Sequence, residues 1–185
     1  MLKKFKLSAK NLTTTKGIVL SAMLLAVFAV LGLFKIPIPP AMWDNRITLT
    51  FTATSAAGMI LGPVPAMIIG GFGDILGYLM NQGGGAYFPG FTLSAALGGL
   101  VYGICLYKRN KKYMIWYIML AVLINTLFIN IILNTFWLSL MYHKAYVVFA
   151  ATRIIKNAIA YPIHVAVIFA LFLLTDRTGI YTKYL

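Results

Sequence analysis

Apolar residues in this chain come in long runs, which polar, proline-rich and glycine-rich stretches interrupt. A helix that crosses the hydrocarbon core of a bilayer needs about 20 mostly apolar residues, with a range of about 17–25. Six runs approach that length. The pattern therefore predicts an all-α integral membrane protein, a bundle of six transmembrane helices in a single membrane domain that spans 1–185. The predicted helices cover 17–34, 47–61, 66–80, 91–107, 113–140 and 145–174.

The stretches between the runs are rich in residues that end helices. Lys35 is followed by Ile-Pro-Ile-Pro-Pro, and these prolines forbid continuation of the first helix. The sequence Gly-Pro-Val-Pro at 62–65 predicts a tight turn, and the glycine-rich stretch 81–90 predicts a loop. Because the second and third runs are short, they could instead form one hairpin that dips into the bilayer.

Composition supports the membrane interpretation. Apolar residues make up 61% of the chain, against about 45–50% in soluble domains, and charged residues only 10%, against about 25%. Net charge is +13, which in a soluble protein would suggest nucleic acid as a partner. Here the cations cluster at the ends of apolar runs, so the lipid bilayer and not nucleic acid is the expected partner. The basic N-terminus resembles the start of a signal peptide, but its apolar run continues to Phe34 without a clear cleavage site, which predicts a retained helix.

The distribution of Lys and Arg predicts the orientation of the helices. Cytoplasmic loops carry an excess of these residues. With six spans, eleven cations lie on the side of the termini and five on the other side or just inside it. Both termini are therefore predicted to be cytoplasmic in a multi-pass protein of the cell membrane. The eleven are Lys3, Lys4, Lys6, Lys10, Lys16, Lys108, Arg109, Lys111, Lys112, Arg177 and Lys183, and the five are Lys35, Arg46, Lys144, Arg153 and Lys156.

Three of these cations lie in or beside apolar runs: Arg46, Arg153 and Lys156. A charge in hydrocarbon costs at least a few kcal/mol, so it usually lines a cavity or meets an opposite charge. The chain contains no Glu and only three acidic residues in total. A bound ligand with negative charge is therefore expected. Pairing with the Asp residues, or snorkelling to the lipid headgroups, is the alternative.

Polar side chains form stripes at helical spacing on the fifth and sixth predicted helices. Two such stripes near the outer ends of adjacent helices could line one cavity, and the alternative is hydrogen bonding between helices. The stripes are Asn130, Asn134, Trp137 and Met141 on the fifth helix, and Arg153, Asn157, Ala160 and His164 on the sixth. Lys156 borders the second stripe.

The remaining candidate residues point to binding rather than catalysis. Asp74 lies in the third predicted helix and could pair with a pocket cation or accept hydrogen bonds from a ligand ring. The loop aromatics Tyr87 and Phe88 could form the mouth of a pocket, or serve as interface residues. Two distant His, one Cys and no carboxylate pair predict neither an enzyme nor a metal site. The glycines at 83–85 lack the Lys-Ser/Thr of a phosphate loop, which argues against an ATPase site.

Several segments together resemble the substrate-binding S components of energy-coupling factor (ECF) vitamin transporters, and within them the folate-specific group. The Ala22-xxx-Ala26 pair is a weak motif by itself, and the longer runs are more specific. The segments are Ala22-xxx-Ala26, Gly62-Pro63-Val64-Pro65 with Gly73-Asp74-Ile75-Leu76-Gly77, Tyr87-Phe88-Pro89-Gly90-Phe91-Thr92-Leu93-Ser94-Ala95, Leu133-Asn134-Thr135-Phe136-Trp137-Leu138-Ser139, and Arg153-Ile154-Ile155-Lys156-Asn157.

The resemblance implies a six-helix protein that binds one vitamin from outside the cell and neither hydrolyses ATP nor carries a cofactor. Members of the family dock on a transmembrane coupling subunit attached to two ATPase subunits. The Ala22 and Ala26 face makes that contact, and the S component is thought to topple with its vitamin.

Folate suits the candidate residues. Arg46, Arg153 and Lys156 could neutralise the two carboxylates of its glutamate tail. Aromatic walls and a few polar groups suit its flat rings, and which end of folate lies deepest stays open. An S component for another anionic vitamin, such as pantothenate, is the alternative, followed by a small channel or an intramembrane enzyme. The residues expected to form the aromatic walls are Tyr87, Phe88, Phe91 and Trp137. Those expected to hydrogen-bond to the polar edge of the pterin ring are Asp74, Asn134 and Asn157.

Overall fold

A computed structural model of the protein describes residues 2–37, 46–80, 87–143, 146–179 and 181. Within these ranges the chain is almost entirely helical. A short strand β1 (Lys35–Pro37) pairs antiparallel with β2 (Arg46–Thr48). The α-helices are α1 (Leu2–Asn11), α2 (Thr15–Leu33), α3 (Thr50–Ile60), α4 (Pro63–Met80), α5 (Pro89–Leu106), α6 (Met114–Ile124), α7 (Asn134–Tyr142) and α8 (Tyr146–Arg177). A 3₁₀ turn (Lys111–Tyr113) precedes α6, and a π-helix (Asn125–Leu133), here called the π segment, joins α6 to α7.

Each of the six predicted segments coincides with helical structure: α2, α3, α4, α5, the continuous run from α6 to α7, and α8. Among the described residues, five helical stretches are long and apolar enough to cross a membrane. Helix α3 has only 11 residues and falls below that length. The five stretches are Thr15–Leu33, Pro63–Met80, Pro89–Leu106, Lys111–Met141 and Arg153–Arg177.

Several predicted boundaries were wrong, and the reasons are local. Helices α4 and α5 begin at Pro63 and Pro89, earlier than predicted, because the first turn of a helix tolerates proline. Helix α3 begins at Thr50 rather than 47, since the preceding residues pair in β2. Helix α8 continues to Arg177 instead of ending at 174. Helix α1 was not predicted at all.

Helix α1 is fixed to the rest of the bundle by polar contacts. The Ser8 hydroxyl donates to the Leu61 carbonyl (3.1 Å), and the Asn11 amide donates to the same oxygen (2.9 Å). The Lys4 ammonium donates to the Tyr107 carbonyl (2.9 Å). Helix α1 therefore caps both the α3–α4 turn and the carboxyl end of α5.

The residues after α8 return to the same end of the molecule. The Tyr181 hydroxyl donates to the Arg109 carbonyl (2.8 Å) and accepts from the Arg109 backbone N–H (3.2 Å). Lys111 forms a salt bridge with Asp176. The N-terminal helix, the α3–α4 turn, the α5–α6 loop and the end of α8 thus share one end of the bundle, here called the basic end.

The main apolar core lies toward the basic end. Helix α4 packs most extensively on α5, and two glycines allow their backbones to meet. A Cβ on Gly70 would lie 2.4 Å from the Ala95 carbonyl oxygen, and one on Gly99 would lie 2.1 Å from the Ala66 oxygen. Small residues at such contacts let membrane helices approach closely. Buried core residues include Leu61, Tyr102, Leu106, Met114, Ile118, Val122, Ile168, Phe172 and Tyr181.

Candidate functional site

A cavity of about 250 Å³ opens between α3, α4, α5, the π segment and α8. Its wall combines aromatic rings, hydroxyl groups, amides and one carboxylate. One limit is the start of α3 near Thr50, and the other is the packed region around Tyr102. The lining residues are Phe28, Thr50, Phe51, Thr54, Asp74, Phe91, Ser94, Ala95, Gly98, Gly99, Tyr102, Asn125, Ile129, Asn130, Asn134 and His164.

A chain of hydrogen bonds orients the carboxylate on this wall. The Thr92 hydroxyl donates to Asp74 Oδ2 at 2.7 Å, and the Tyr87 hydroxyl lies 2.8 Å from Thr92 Oγ1. Because Thr92 uses its only proton on Asp74, the Tyr87 hydroxyl must donate to Thr92. The chain runs from the residues before α5 to the carboxylate on α4. It holds Asp74 in one orientation at the cavity wall.

Aromatic side chains pack beside the carboxylate, at the start of α5. The Phe88 ring lies 5.9 Å from the Phe91 ring and 5.7 Å from the Trp137 ring, in edge-to-face and tilted arrangements. The Trp137 indole N–H donates to the Ser94 hydroxyl (3.1 Å), which faces the cavity. These contacts fix the tryptophan and join α7 to α5. A flat ring system would find a firm apolar wall here.

Amide side chains of the π segment and the start of α7 form another part of the cavity wall. Asn134 Nδ2 donates to Asn130 Oδ1 at 3.3 Å, and Asn125 Nδ2 donates to the Ala121 carbonyl at 3.2 Å. Within the described part of the chain, Asn134 Oδ1 is buried without a hydrogen-bond partner. A buried amide oxygen without a donor costs free energy, about 1–3 kcal/mol. A ligand N–H in the cavity would remove that cost.

The sixth predicted helix turns its polar stripe inward. Arg153 and Asn157 are each 6% exposed, and Ala160 is 3% exposed. The Arg153 guanidinium donates to the Asn130 carbonyl at 3.1 Å, so Arg153 does not snorkel to the headgroups. Lys156 is half-buried on the same helix. The His164 imidazole packs against Phe51 with ring centroids 3.9 Å apart and lines the deeper part of the cavity.

The structure brings most of the sequence-predicted site residues together. Asp74, Phe91 and Asn134 line the cavity. Phe88, Trp137 and Arg153 contact lining residues, and Tyr87 reaches Asp74 through Thr92. Lys156 and Asn157 are not among the lining residues. Ala22 and Ala26 lie elsewhere, exposed on α2. The backbone of Arg46 belongs to β2, whereas its side chain lies outside the described structure, as do Trp43, Asp44 and 81–86.

Sequence reasoning missed several site residues, among them the polar Thr92, Ser94 and Asn125. Thr92 and Ser94 belong to the motif 87–95, where the spacing of hydroxyls after Pro89 could have singled them out. Asn125 lies in an apolar run and, at α-helical spacing, does not share a face with Asn134. Only the π segment places it on the cavity wall.

Comparison with known proteins shows the family. The model of the substrate-specific component of ECF transporters matches residues 16–174. The chain belongs to this family. Family membership makes it a transporter's substrate-binding component, as the resemblance of its motifs indicated.

Individual relatives of this S component are folate transporters. The chain is 43% identical to the folate transporter FolT of Clostridium novyi over 75% of its own length and 78% of the relative. It is 32% identical to FolT of Leuconostoc mesenteroides over 88% of its own length and 86% of the relative. A crystal structure of FolT bound with folic acid superimposes with a TM-score of 0.75 at 39% identity, covering 85% of this chain and 93% of that one.

Proposed function

We propose that this S component binds folate with high affinity and delivers it inward as part of an ATP-driven ECF importer. The observation that carries the proposal is the cavity itself. In the part of the chain that the structure describes, an oriented carboxylate, a buried amide oxygen without a donor and the Phe91 ring, which packs on Phe88, surround one space. A pterin has N–H donors for Asp74 and Asn134, and a flat ring for the aromatic wall. The similarity to a FolT that was solved with folic acid supports the same ligand.

The charges suggest how folate lies in the cavity. Asp74 and the amides line the cavity, whereas Arg153 lies near the start of α8, and Arg46 precedes α3. A cavity of about 250 Å³ can take the flat rings, and the rest of folate would extend from its open side. The pterin then lies deepest. The glutamate carboxylates extend toward Arg153, Lys156 and Arg46.

We further propose six spans, with the short helix α3 as the additional one, and a cytoplasmic basic end. The eleven cations that the positive-inside rule assigns to the cytoplasm belong to the segments of the basic end and their flanks. The cavity lies in the other half of the bundle, beside the starts of α3 and α5 and the middle of α8. Both termini are then cytoplasmic, and the pocket opens outside the cell.

Titration calorimetry of the purified chain in detergent tests the ligand. Folate is expected to bind with a dissociation constant at least 100-fold lower than that of pantothenate, because pantothenate has no ring with N–H donors for Asp74 and Asn134. Absence of folate binding, or tighter binding of pantothenate, would contradict the proposal. Trp137→Ala should weaken folate binding, since it removes the wall that Ser94 and Phe88 hold in place.

The surface that meets the coupling subunit is proposed to be the outer face of α2. Ala22 and Ala26 are exposed there, and small side chains let another membrane helix approach closely. Ala22→Leu with Ala26→Leu is expected to abolish co-purification with the coupling subunit and its two ATPases while folate affinity stays within about twofold. The matched control is Val27→Phe, an exposed position about 120° around α2 from the centre of this face, which should leave assembly intact. Loss of folate binding together with assembly would instead indicate a packing role for the alanines.

A further inference from the structure

The π segment changes which side chains face the cavity. An α-helix turns about 100° per residue, so Asn125 and Asn134, nine residues apart, would lie on opposite sides, about 180° from one another. A π-helix closes i→i+5 rings and turns only about 80° per residue, which places the same two positions within about 20°. Both side chains do line the cavity, together with Asn130 between them.

Side chains from α8 hold two consecutive carbonyls of the π segment. Arg153 Nη1 donates to the Asn130 carbonyl at 3.1 Å, and the Tyr146 hydroxyl donates to the Ile131 carbonyl at 3.2 Å. The backbone N–H of Asn134 bonds to the Ile129 carbonyl, the i→i+5 contact of the π register. The unusual register is thus supported from a neighbouring helix. A buried guanidinium stabilises it at the centre of the segment.

We propose that the π register of Asn125–Leu133 determines substrate specificity by aligning three asparagines on one wall of the cavity. Arg153 acts in this as a positioning residue, in addition to any contact with the ligand. The proposal rests on the proposed function and deepens it, since it names the groups that read the polar edge of the pterin. Asn125, absent from the sequence-predicted site, becomes a specificity-determining residue.

The amide chemistry suits that role. An Asn side chain offers an acceptor oxygen and two donor hydrogens. Asn125 uses its two hydrogens on protein carbonyls and Asn130 Oδ1 accepts from Asn134, so Asn125 and Asn134 present acceptor oxygens to ligand N–H groups, and Asn130 presents donors to ring nitrogens or a carbonyl. Asn134 Oδ1 is the buried acceptor that lacks a donor within the described residues. Asn125 is held by the Ala121 and Gly98 carbonyls at 3.2 and 3.5 Å, so its position is fixed before a ligand arrives. A site built to hydrogen-bond a ligand rejects analogues that lack those groups by large factors.

Thiol accessibility tests the register directly. In a Cys105→Ala background, which removes the only native thiol, Asn125→Cys and Asn134→Cys are each treated in membranes with anionic 2-sulfonatoethyl methanethiosulfonate. Both thiols are expected to react from the cavity, and saturating folate should slow each reaction at least tenfold. The control is Lys10→Cys, an exposed position on α1 that lies outside the apolar spans, where the reagent reaches a thiol from water. Its reaction rate should not respond to folate.

The outcomes separate this inference from the proposed function. Reaction at only one of the two positions in ligand-free protein would overturn the π register, because an α-helix turns one of them away from the cavity. Protection of Asn134→Cys without protection of Asn125→Cys would overturn the role of Asn125. If the native protein fails to bind folate in calorimetry, the proposed ligand is wrong. The ligand-free reaction pattern then still decides the register.

Discussion

Asp74→Asn is expected to weaken folate binding about 100-fold. The substitution keeps the shape of the side chain but removes the negative charge that ligand N–H groups would meet in a buried cavity. Hydrogen bonds to charged groups contribute about 1.5–3 kcal/mol, and a factor of 100 corresponds to about 2.7 kcal/mol. The carboxylate also has a fixed orientation, because Thr92 donates to it at 2.7 Å. Calorimetry with folate measures the effect.

Two variants of Thr92 serve as controls for the Asp74 prediction. Thr92→Val removes the hydroxyl that orients the carboxylate and should weaken binding by about tenfold. Thr92→Ser restores that donor and should bind folate nearly as well as the native protein. If Asp74→Asn bound folate with unchanged affinity, Asp74 would not contact the ligand. A loss in Thr92→Ser as large as in Thr92→Val would assign Thr92 a packing role.

Gly70→Ala is expected to lower the melting temperature by about 5–10 °C. The new Cβ would lie 2.4 Å from the Ala95 carbonyl oxygen, a backbone atom in the middle of α5 that cannot move by itself. Helices α4 and α5 must separate, which loses packing along their whole contact. Overpacking of this kind costs about 1–3 kcal/mol, and 1 kcal/mol shifts the melting temperature of a chain of this size by about 2–4 °C. Thermal unfolding in detergent, followed by tryptophan fluorescence, measures the change.

Gly77→Ala is the matched control on the same helix. Among the described residues, and apart from its chain neighbours and the backbone of its own helix, no atom lies within 4 Å of the position that its Cβ would occupy. Alanine also favours the helix over glycine, so stability should stay the same or rise slightly. Equal losses in the two variants would show that glycine flexibility in α4, and not the close approach to α5, is what matters.

The shared face of α8 could be read from the sequence. Arg153, Asn157 and Ala160 are all buried, because in a regular helix spacing alone fixes which residues lie on one face. Their contact with a ligand stays a prediction. Asp74 and the aromatic motif that begins at Tyr87 were also selected, since polar groups and broken backbone stand out in an apolar chain. Asn125 was missed because the spacing argument assumes an α-helix.

The sequence by itself determined the membrane environment, the approximate helix positions and the accumulation of cations at one end. These properties follow from local composition, and burial in lipid selects long apolar runs regardless of how they pack. Only the tertiary structure decided that α1 docks on Leu61 and that Thr92 orients Asp74. It alone set the π register, which aligns Asn125 with Asn134 and which Arg153 supports. Each of these features depends on contacts between segments that are distant in the sequence. The Asn130 carbonyl, for example, accepts a hydrogen bond from Arg153 on α8, and this contact stabilises a helix geometry that the residues next to Asn130 do not specify.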